Sequence, residues 1–346
     1  MANIMLTDVC NLRCPYCFAN EFVNVDKNEI SEQNFKKAVD FILQDGSCDA
    51  IGLIGGEPTL HSRFSDFVRM LVQDERVRRI IVYTNGVCLD KYWDTVCNPK
   101  VHFLINCNSC DYMGKSMYQR MLSNIDYLVE TRMFKNNVTL GINLYDANME
   151  TKYIVDLLLK YDYHRVRMSI TVPNLDDNRN CNAHTYFLSM KNLIFQFFKT
   201  LLENGIVPNF DCNKIPYCLI TAEELQPFQK YLSNPELKPY LKDSNIVNNI
   251  VTCSPVVDIR QDLTAVRCFG LSQYTKQSIA NFKGLKDLQN FYMETVDALA
   301  YNLSYAEQCN DCYQRKILRC SGGCIAYKMD KVLEMQKYAK KLNSMI

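Results

Sequence analysis

Thr7-Asp8-Val9-Cys10-Asn11-Leu12-Arg13-Cys14-Pro15-Tyr16-Cys17-Phe18 places three thiols on one short stretch directly after the strand-like run Ala2–Leu6. Gly55-Gly56-Glu57-Pro58 holds the same position after a second run, Ala50–Ile54, and Thr84-Asn85-Gly86 after a third, Arg79–Tyr83. Val101–Asn106, Val138–Leu144 and Val166–Val172 continue the series. Between the runs lie helical patterns. After Ser31, a natural N-cap, Phe35, Ala38, Val39 and Ile42 recur at i, i+3, i+4, i+7. Met117, Met121, Ile125 and Leu128 form a second apolar face; Ile194, Phe197, Phe198, Leu201 and Leu202 form a third, which Gly205 ends as a C-cap. Six strands alternating with helices predict an α/β fold with a parallel sheet, open or curled into a partial barrel. The three thiols then occupy a strand-to-helix loop at the carboxyl end of the first strand, where such sheets place their ligands.

After Gly205 the texture changes. Eight cysteines fall between Cys212 and Cys324, the strand–helix alternation is lost, and Thr221-x-x-Glu224 offers a capping box for a short helix. A polar, helix-prone tail runs from Ile325 to about Leu342. The expected division is a core domain over 1–205 and a Cys-rich domain over 206–346. The chain has 346 residues, a net charge of +1 and 22% charged residues. That balance gives no electrostatic reason to bind nucleic acid or an anionic membrane surface. No apolar stretch approaches the ~20 residues needed to span a bilayer. The N-terminus lacks a basic region followed by a long apolar core, so a cytoplasmic location is expected. Seventeen cysteines in a reducing compartment point to metal binding more readily than to disulfides.

Read by its chemistry alone, the Cys10/Cys14/Cys17 loop supplies three thiolates to an iron–sulfur cubane, which needs one per iron, and leaves one iron open. An open metal position is how a site admits a ligand. Unrelated core thiols, or part of a structural zinc site, are the alternatives. Gly55-Gly56-Glu57-Pro58 taken singly is a turn. Its glycines expose backbone and permit close approach, and Glu57 is able to accept from an ammonium.

Together these motifs resemble the radical S-adenosylmethionine (radical SAM) superfamily. C-x3-C-x2-C with an aromatic before the third cysteine is similar to its cluster signature, and Gly55–Pro58 to its GGEP segment. The resemblance implies a partial (β/α)6 TIM-type barrel. It further implies a [4Fe–4S] cluster on Cys10, Cys14 and Cys17, with S-adenosylmethionine chelated to the open iron. One electron then cleaves a carbon–sulfur bond to give a 5′-deoxyadenosyl radical that takes a hydrogen atom from substrate. Tyr16 is expected against the adenine, Gly55, Gly56, Glu57 and Pro58 at the methionyl amino group, and Thr84 and Asn85 near the ribose. Asn106 and Asn143, ending later strands, either line the same site or cap their strands.

Cys253 and Cys268, followed by Cys309-x2-Cys312-x7-Cys320-x3-Cys324, resemble the SPASM or shorter twitch extension, which carries one or two auxiliary [4Fe–4S] clusters. Asp262-Leu263-Thr264 stands where that pattern has a glycine, the third spacing is longer than usual, and no cysteine follows Cys324. Cys212 and Cys218, upstream, bring the total to the eight thiols that two fully ligated cubanes require. Two clusters, with Cys212 or Cys218 replacing a missing ligand, is the preferred reading. One cluster with spare thiols, or zinc on Cys309, Cys312, Cys320 and Cys324, are the alternatives. The family's habit of interleaving groups Cys253, Cys268 and Cys324 apart from Cys309, Cys312 and Cys320. Cys48, Cys88, Cys97, Cys107, Cys110 and Cys181 read mostly as small core hydrophobes, with Cys107 and Cys110 near enough to the end of the fourth strand to approach the site.

The resemblance implies a radical SAM oxidoreductase fed by an external donor of the flavodoxin or ferredoxin type. Its expected substrate is a ribosomally made peptide that is crosslinked, oxidised or epimerised. A core starting at the N-terminus leaves no room for an appended recognition domain, so a separate recognition protein is an expected partner. A small-molecule dehydrogenase, a sulfatase-maturing enzyme, and a non-catalytic zinc or iron–sulfur scaffold or electron carrier are the competing readings. Near-neutral charge argues against RNA as substrate. The sequence singles out no catalytic acid or base.

Overall fold

The structure, a computed structural model, describes residues 1–20, 22–171, 183–211, 213–242, 253, 256–272, 274–304, 306 and 309–343. Val172, Cys181 and Cys212 lie outside these. The strands in chain order are β1 Ala2–Met5, β2 Ala50–Ile54, β3 Arg79–Thr84, β4 Val101–Asn106, β5 Val138–Leu144, β6 Arg165–Ile170, β7 Val207–Phe210, β8 Val257–Ile259, β9 Thr264–Val266 and β10 Gln277–Ser278. The principal helices are α1 Glu32–Leu43, α2 Phe64–Gln73, α3 Lys115–Asp126, α4 Lys152–Lys160, α5 Ala183–Glu203, α6 Ala222–Leu232, α7 Leu285–Tyr292 and α8 Met329–Asn343. The chain divides into two compact units. One comprises Met1–Gly141 with Pro255–Met293, the other Ile142–Ser254 with Glu294–Ile346. Each draws on two stretches of chain.

In the first unit β1, β2, β3, β4 and the start of β5 are successively parallel, the mixed α/β arrangement read from the alternation. Ser31 caps α1 through an Asn34 N–H donated to its hydroxyl, and the apolar face of α1 is buried as its period requires. Phe35 of α1 stacks on Phe67 of α2 at 4.1 Å between centroids. Beyond the expected strands, β8 returns to pair in parallel with β1, and β9 and β10 extend it antiparallel. Three-residue strands carry too little periodicity to be read from sequence.

The β1–β8 seam holds a buried polar pair. Asn3 Nδ2 donates to Asp258 Oδ1 at 2.6 Å, and the Phe269 N–H donates to Asp258 Oδ2 at 3.1 Å. Gly52 on β2 makes room for it, since a Cβ there would fall 1.9 Å from Asn3 Oδ1.

In the second unit β6 and β7 are parallel, so one strand–helix–strand step, through α5, continues past Gly205. The glycine does end α5, at φ +74°. Leu202, Val207, Tyr231, Leu237 and Leu241 pack one core around this turn. Thr221 and Glu224 form both halves of the expected capping box at the start of α6. Among the described residues no helix is long and apolar enough to cross a membrane.

Burial pushes the Asp258 carboxyl up to about 7, opposed by the Asn3 and Phe269 hydrogen bonds. A carboxyl whose folded value is raised favours the fold below its unfolded value of about 3.9, and that contribution is lost as pH rises toward 7. Asp258→Asn, which keeps an acceptor without an ionisable proton, is expected to flatten the fall in stability between roughly pH 4 and 7. Urea midpoints measured across that interval check it; parallel curves for the two proteins would contradict it.

Candidate functional site

Three loops at the carboxyl ends of β1, β2 and β3 are bound together in the first unit. The Gly56 and Glu57 N–H groups donate to the Thr7 and Val9 carbonyls at 2.7 and 2.8 Å, which zips the Gly-Gly-Glu-Pro loop along the backbone leading into the cysteines. This approach explains both glycines. A Cβ at Gly55 would meet the Thr7 carbonyl oxygen at 2.6 Å, and one at Gly56 the Val9 oxygen at 2.4 Å. Pro58, buried, opens the short 3-10 turn that follows.

Glu57 is 1% exposed. Its Oε1 accepts from the Thr59 hydroxyl at 2.6 Å, the Thr84 hydroxyl at 2.7 Å and the Thr59 N–H at 3.2 Å. Its Oε2 accepts from the Asn85 N–H at 2.8 Å. Four hydrogen bonds thus give this carboxylate the role of tying the second loop to the third, beside the ligand role expected of it. Thr84 and Asn85 likewise serve the frame. Asn85 Nδ2 donates to Asn11 Oδ1 at 2.7 Å, reaching into the cysteine loop.

Cys10, Cys14 and Cys17 are half-buried free thiols on that loop. Asn24, in the left-handed region at φ 61°, clamps Cys10 from both sides. It accepts from the Cys10 N–H and donates to its carbonyl, each at 3.0 Å. The Leu12 N–H donates to Cys10 Sγ at 3.4 Å. Tyr16 donates to Asn108 Oδ1 at 2.6 Å, and Asn108 Nδ2 faces Cys14 Sγ at 3.8 Å. Asn11, Asn24 and Asn108 were not anticipated, because each acts through a partner distant in sequence. Asn106 stands half-buried at the end of β4. Cys107 is buried, its Sγ toward the Ile105 carbonyl, which is the core role read for most of the scattered thiols.

Burial pushes Cys10 up to about 12, with Glu57, Cys14 and Cys17 adding to the rise. Burial also raises Cys14 and Cys17, partly offset at Cys14 by hydrogen bonds from Tyr16, Tyr112 and Asn108. Among the described residues no positive charge compensates these three sequestered thiols and the buried carboxyl next to them. An iron–sulfur core supplies that charge to thiolates, so the donor set fits such a cluster. Cys268 lies in this unit too. Its neighbour Phe269 stacks on Phe18, next to Cys17, with centroids 5.1 Å apart.

In the second unit Cys309 and Cys324 are buried, Cys253, Cys312 and Cys320 half-buried, and Cys218 exposed. Cys320 is raised by burial, and the charges of Cys218, Cys309 and Cys312 add to the rise, so these four thiols share one neighbourhood. The Gly322 N–H donates to Cys320 Sγ at 3.3 Å, repeating the Leu12–Cys10 arrangement. Among the described residues no three ligand side chains converge tightly enough to grip a single metal ion. Asn143, on β5, accepts from Arg167 at 2.8 Å and from Ser169 at 2.5 Å, and Arg167 pairs with Asp211 at 2.6 Å.

The first unit thus carries a thiol triad after the first strand of a parallel sheet, locked to a glycine-rich loop after the second. Residues 4–158 match the model of the Radical SAM superfamily. The chain resembles a GTP 3′,8-cyclase of Synechocystis sp. (33% identity over 27% of this chain and 28% of that one). One from Vibrio cholerae is 26% identical over 41% of this chain and 46% of its own length. The match thus spans less than half of these relatives. Among solved structures, Streptococcus suis SuiB bound to S-adenosylmethionine superposes over 94% of this chain and 72% of its own, with TM-score 0.57 and 13% identity. SuiB bound to its precursor peptide SuiA gives the same TM-score, 0.57. At this identity the likeness concerns the fold.

Glu57→Ala leaves the Thr59, Thr84 and Asn85 donors without their acceptor inside the protein. We expect a loss of roughly 2–4 kcal/mol of stability, measured by chemical denaturation. A loss under about 0.5 kcal/mol, the scale of an ordinary surface change, would show that the carboxylate does not hold the loops.

Proposed function

We propose that this chain is a radical SAM enzyme whose [4Fe–4S] cluster is held by Cys10, Cys14 and Cys17. The observation that carries the reading is the backbone zipper between the cysteine loop and Gly55–Glu57. A simple electron carrier has no use for a second loop fixed against its cluster loop. When bound, the cluster supplies the electron that splits S-adenosylmethionine into methionine and a 5′-deoxyadenosyl radical. The chain's own residues do the rest. Asn24 and the Leu12 N–H fix Cys10, and Asn108 orients Tyr16 beside Cys14, where its ring is available to an adenine. Gly55 and Gly56 present backbone close to the thiols for the methionyl group. Thr84, Asn85 and Asn106 are assigned to the frame of the cofactor pocket.

We further assign an auxiliary [4Fe–4S] cluster to Cys218, Cys309, Cys312 and Cys320, the first three of which act by their charge on the fourth. Cys212, Cys253 and Cys324 are the remaining candidate thiols of this part of the chain. For the substrate, a ribosomally made peptide is favoured. The fold likeness to SuiB runs through nearly the whole chain, Cys-rich part included, and SuiB has been seen with a precursor peptide. An external flavodoxin- or ferredoxin-type donor, a separate recognition protein and a cytoplasmic location complete this reading. The cyclase relatives favour a small-molecule substrate as the second reading, since they are the ones met by sequence. Incubation with candidate peptides or with GTP, followed by mass spectrometry, separates the two.

Replacing Cys10, Cys14 and Cys17 together by alanine is expected to remove about four irons, one cubane, from anaerobically prepared protein. Release of 5′-deoxyadenosine from S-adenosylmethionine and a strong reductant should stop with it. Unchanged iron content in the triple variant sinks the assignment.

A further inference from the structure

Lys328 closes the 3-10 turn Ile325–Lys328 that starts directly after Cys324, and it is 2% exposed. A lysine this deep is unusual unless its charge is answered. Its Nζ donates to the Ala300 carbonyl at 2.9 Å and, at short range, to the Ser321 carbonyl. Neutral carbonyls satisfy hydrogen-bond donors but do not neutralise a charge. Among the described residues no carboxylate forms an ion pair with this ammonium. The groups whose negative charge reaches it are Cys309, Cys320 and Cys324, while the Arg315 guanidinium acts in the opposite sense. Burial draws the ammonium down to about 8, which is the cost of keeping it inside with nothing opposite.

We propose that Lys328 is the built-in counter-charge of the auxiliary iron–sulfur cluster, holding the cluster in place and raising its reduction potential. This rests on the auxiliary cluster assigned above. A cubane on thiolates carries net negative charge that grows by one on reduction, so a fixed cation nearby stabilises the reduced form more than the oxidised one. The anchoring suits that task. The Ser321 carbonyl belongs to the loop between Cys320 and Cys324, so the ammonium is pinned to the thiol-bearing backbone. Its hydrogen bonds go to carbonyls, leaving its charge to act through space. Lys328 is a positioning and potential-tuning residue, not a catalytic one.

The test uses full-length protein carrying Cys10, Cys14 and Cys17→Ala, which isolates auxiliary iron, and compares Lys328 with K328R, K328Q and K328M. Arginine keeps the charge, glutamine keeps a donor without it, and methionine keeps only the shape. K328R is expected to retain auxiliary iron and a midpoint potential close to that of the parent. K328Q and K328M should shift the midpoint to more negative values and lose iron several-fold faster to a chelator. Thermal melting shows which variants fold, and K328Q decides if K328M does not. A K328Q protein that folds with unchanged potential and iron retention overturns the proposal while leaving the auxiliary cluster standing. A parent protein that binds no iron overturns both.

Discussion

Everything proposed for the first unit depends on two hydrogen bonds between main chains, from Gly56 to Thr7 and from Glu57 to Val9. They fix the loop after β2 against the loop after β1 more closely than any side chain beyond hydrogen tolerates. Glycine at 55 and 56 is therefore a steric requirement of the frame, whatever the backbone later touches. The buried Glu57 carboxylate extends the same frame to β3 by collecting donors from Thr59, Thr84 and Asn85. Asn85 closes the circuit by reaching Asn11 between the first two cysteines. Three loops from three parallel strands are thus tied together by hydrogen bonds, with the cysteine loop among them.

Most of the frame was legible in the sequence, though its internal logic was not. Strand and helix positions followed from period and capping because α/β elements in a buried parallel sheet are locally consistent. The motif residues were identifiable because loops at the carboxyl ends of such strands are where ligands gather. Glu57 shows the limit. A carboxylate in a glycine-rich loop reads as a ligand group, and only the fold reveals that it also accepts from Thr84 and Asn85. Asn24, Asn108 and Lys328 were silent for the same reason, since an asparagine or lysine gains meaning from a partner far away in the chain. β7 and β8 were missed because four- and three-residue strands, one containing Pro208, lie below the length at which periodicity speaks.

The two cysteine groups differ in the charge around them, and that difference is functional physics. In the first unit the thiols meet neutral donors, such as the Leu12 N–H and Asn108, and Glu57 and the neighbouring thiols push Cys10 toward its protonated form. In the second unit Lys328 and Arg315 stand among the thiols. Reduction potential in an iron–sulfur cluster follows net charge, hydrogen bonds to sulfur and exposure. Both groups have a backbone N–H to one sulfur, and the first adds side-chain hydrogen bonds at Cys14, so it is local charge that sets the second group toward the higher potential. A cluster on the first loop would be the harder to reduce, as one-electron cleavage of a carbon–sulfur bond demands. A cluster in the second unit would hold an electron more readily. The same chain would then separate the roles of strong donor and electron sink by where it buries a carboxylate and where it buries an ammonium.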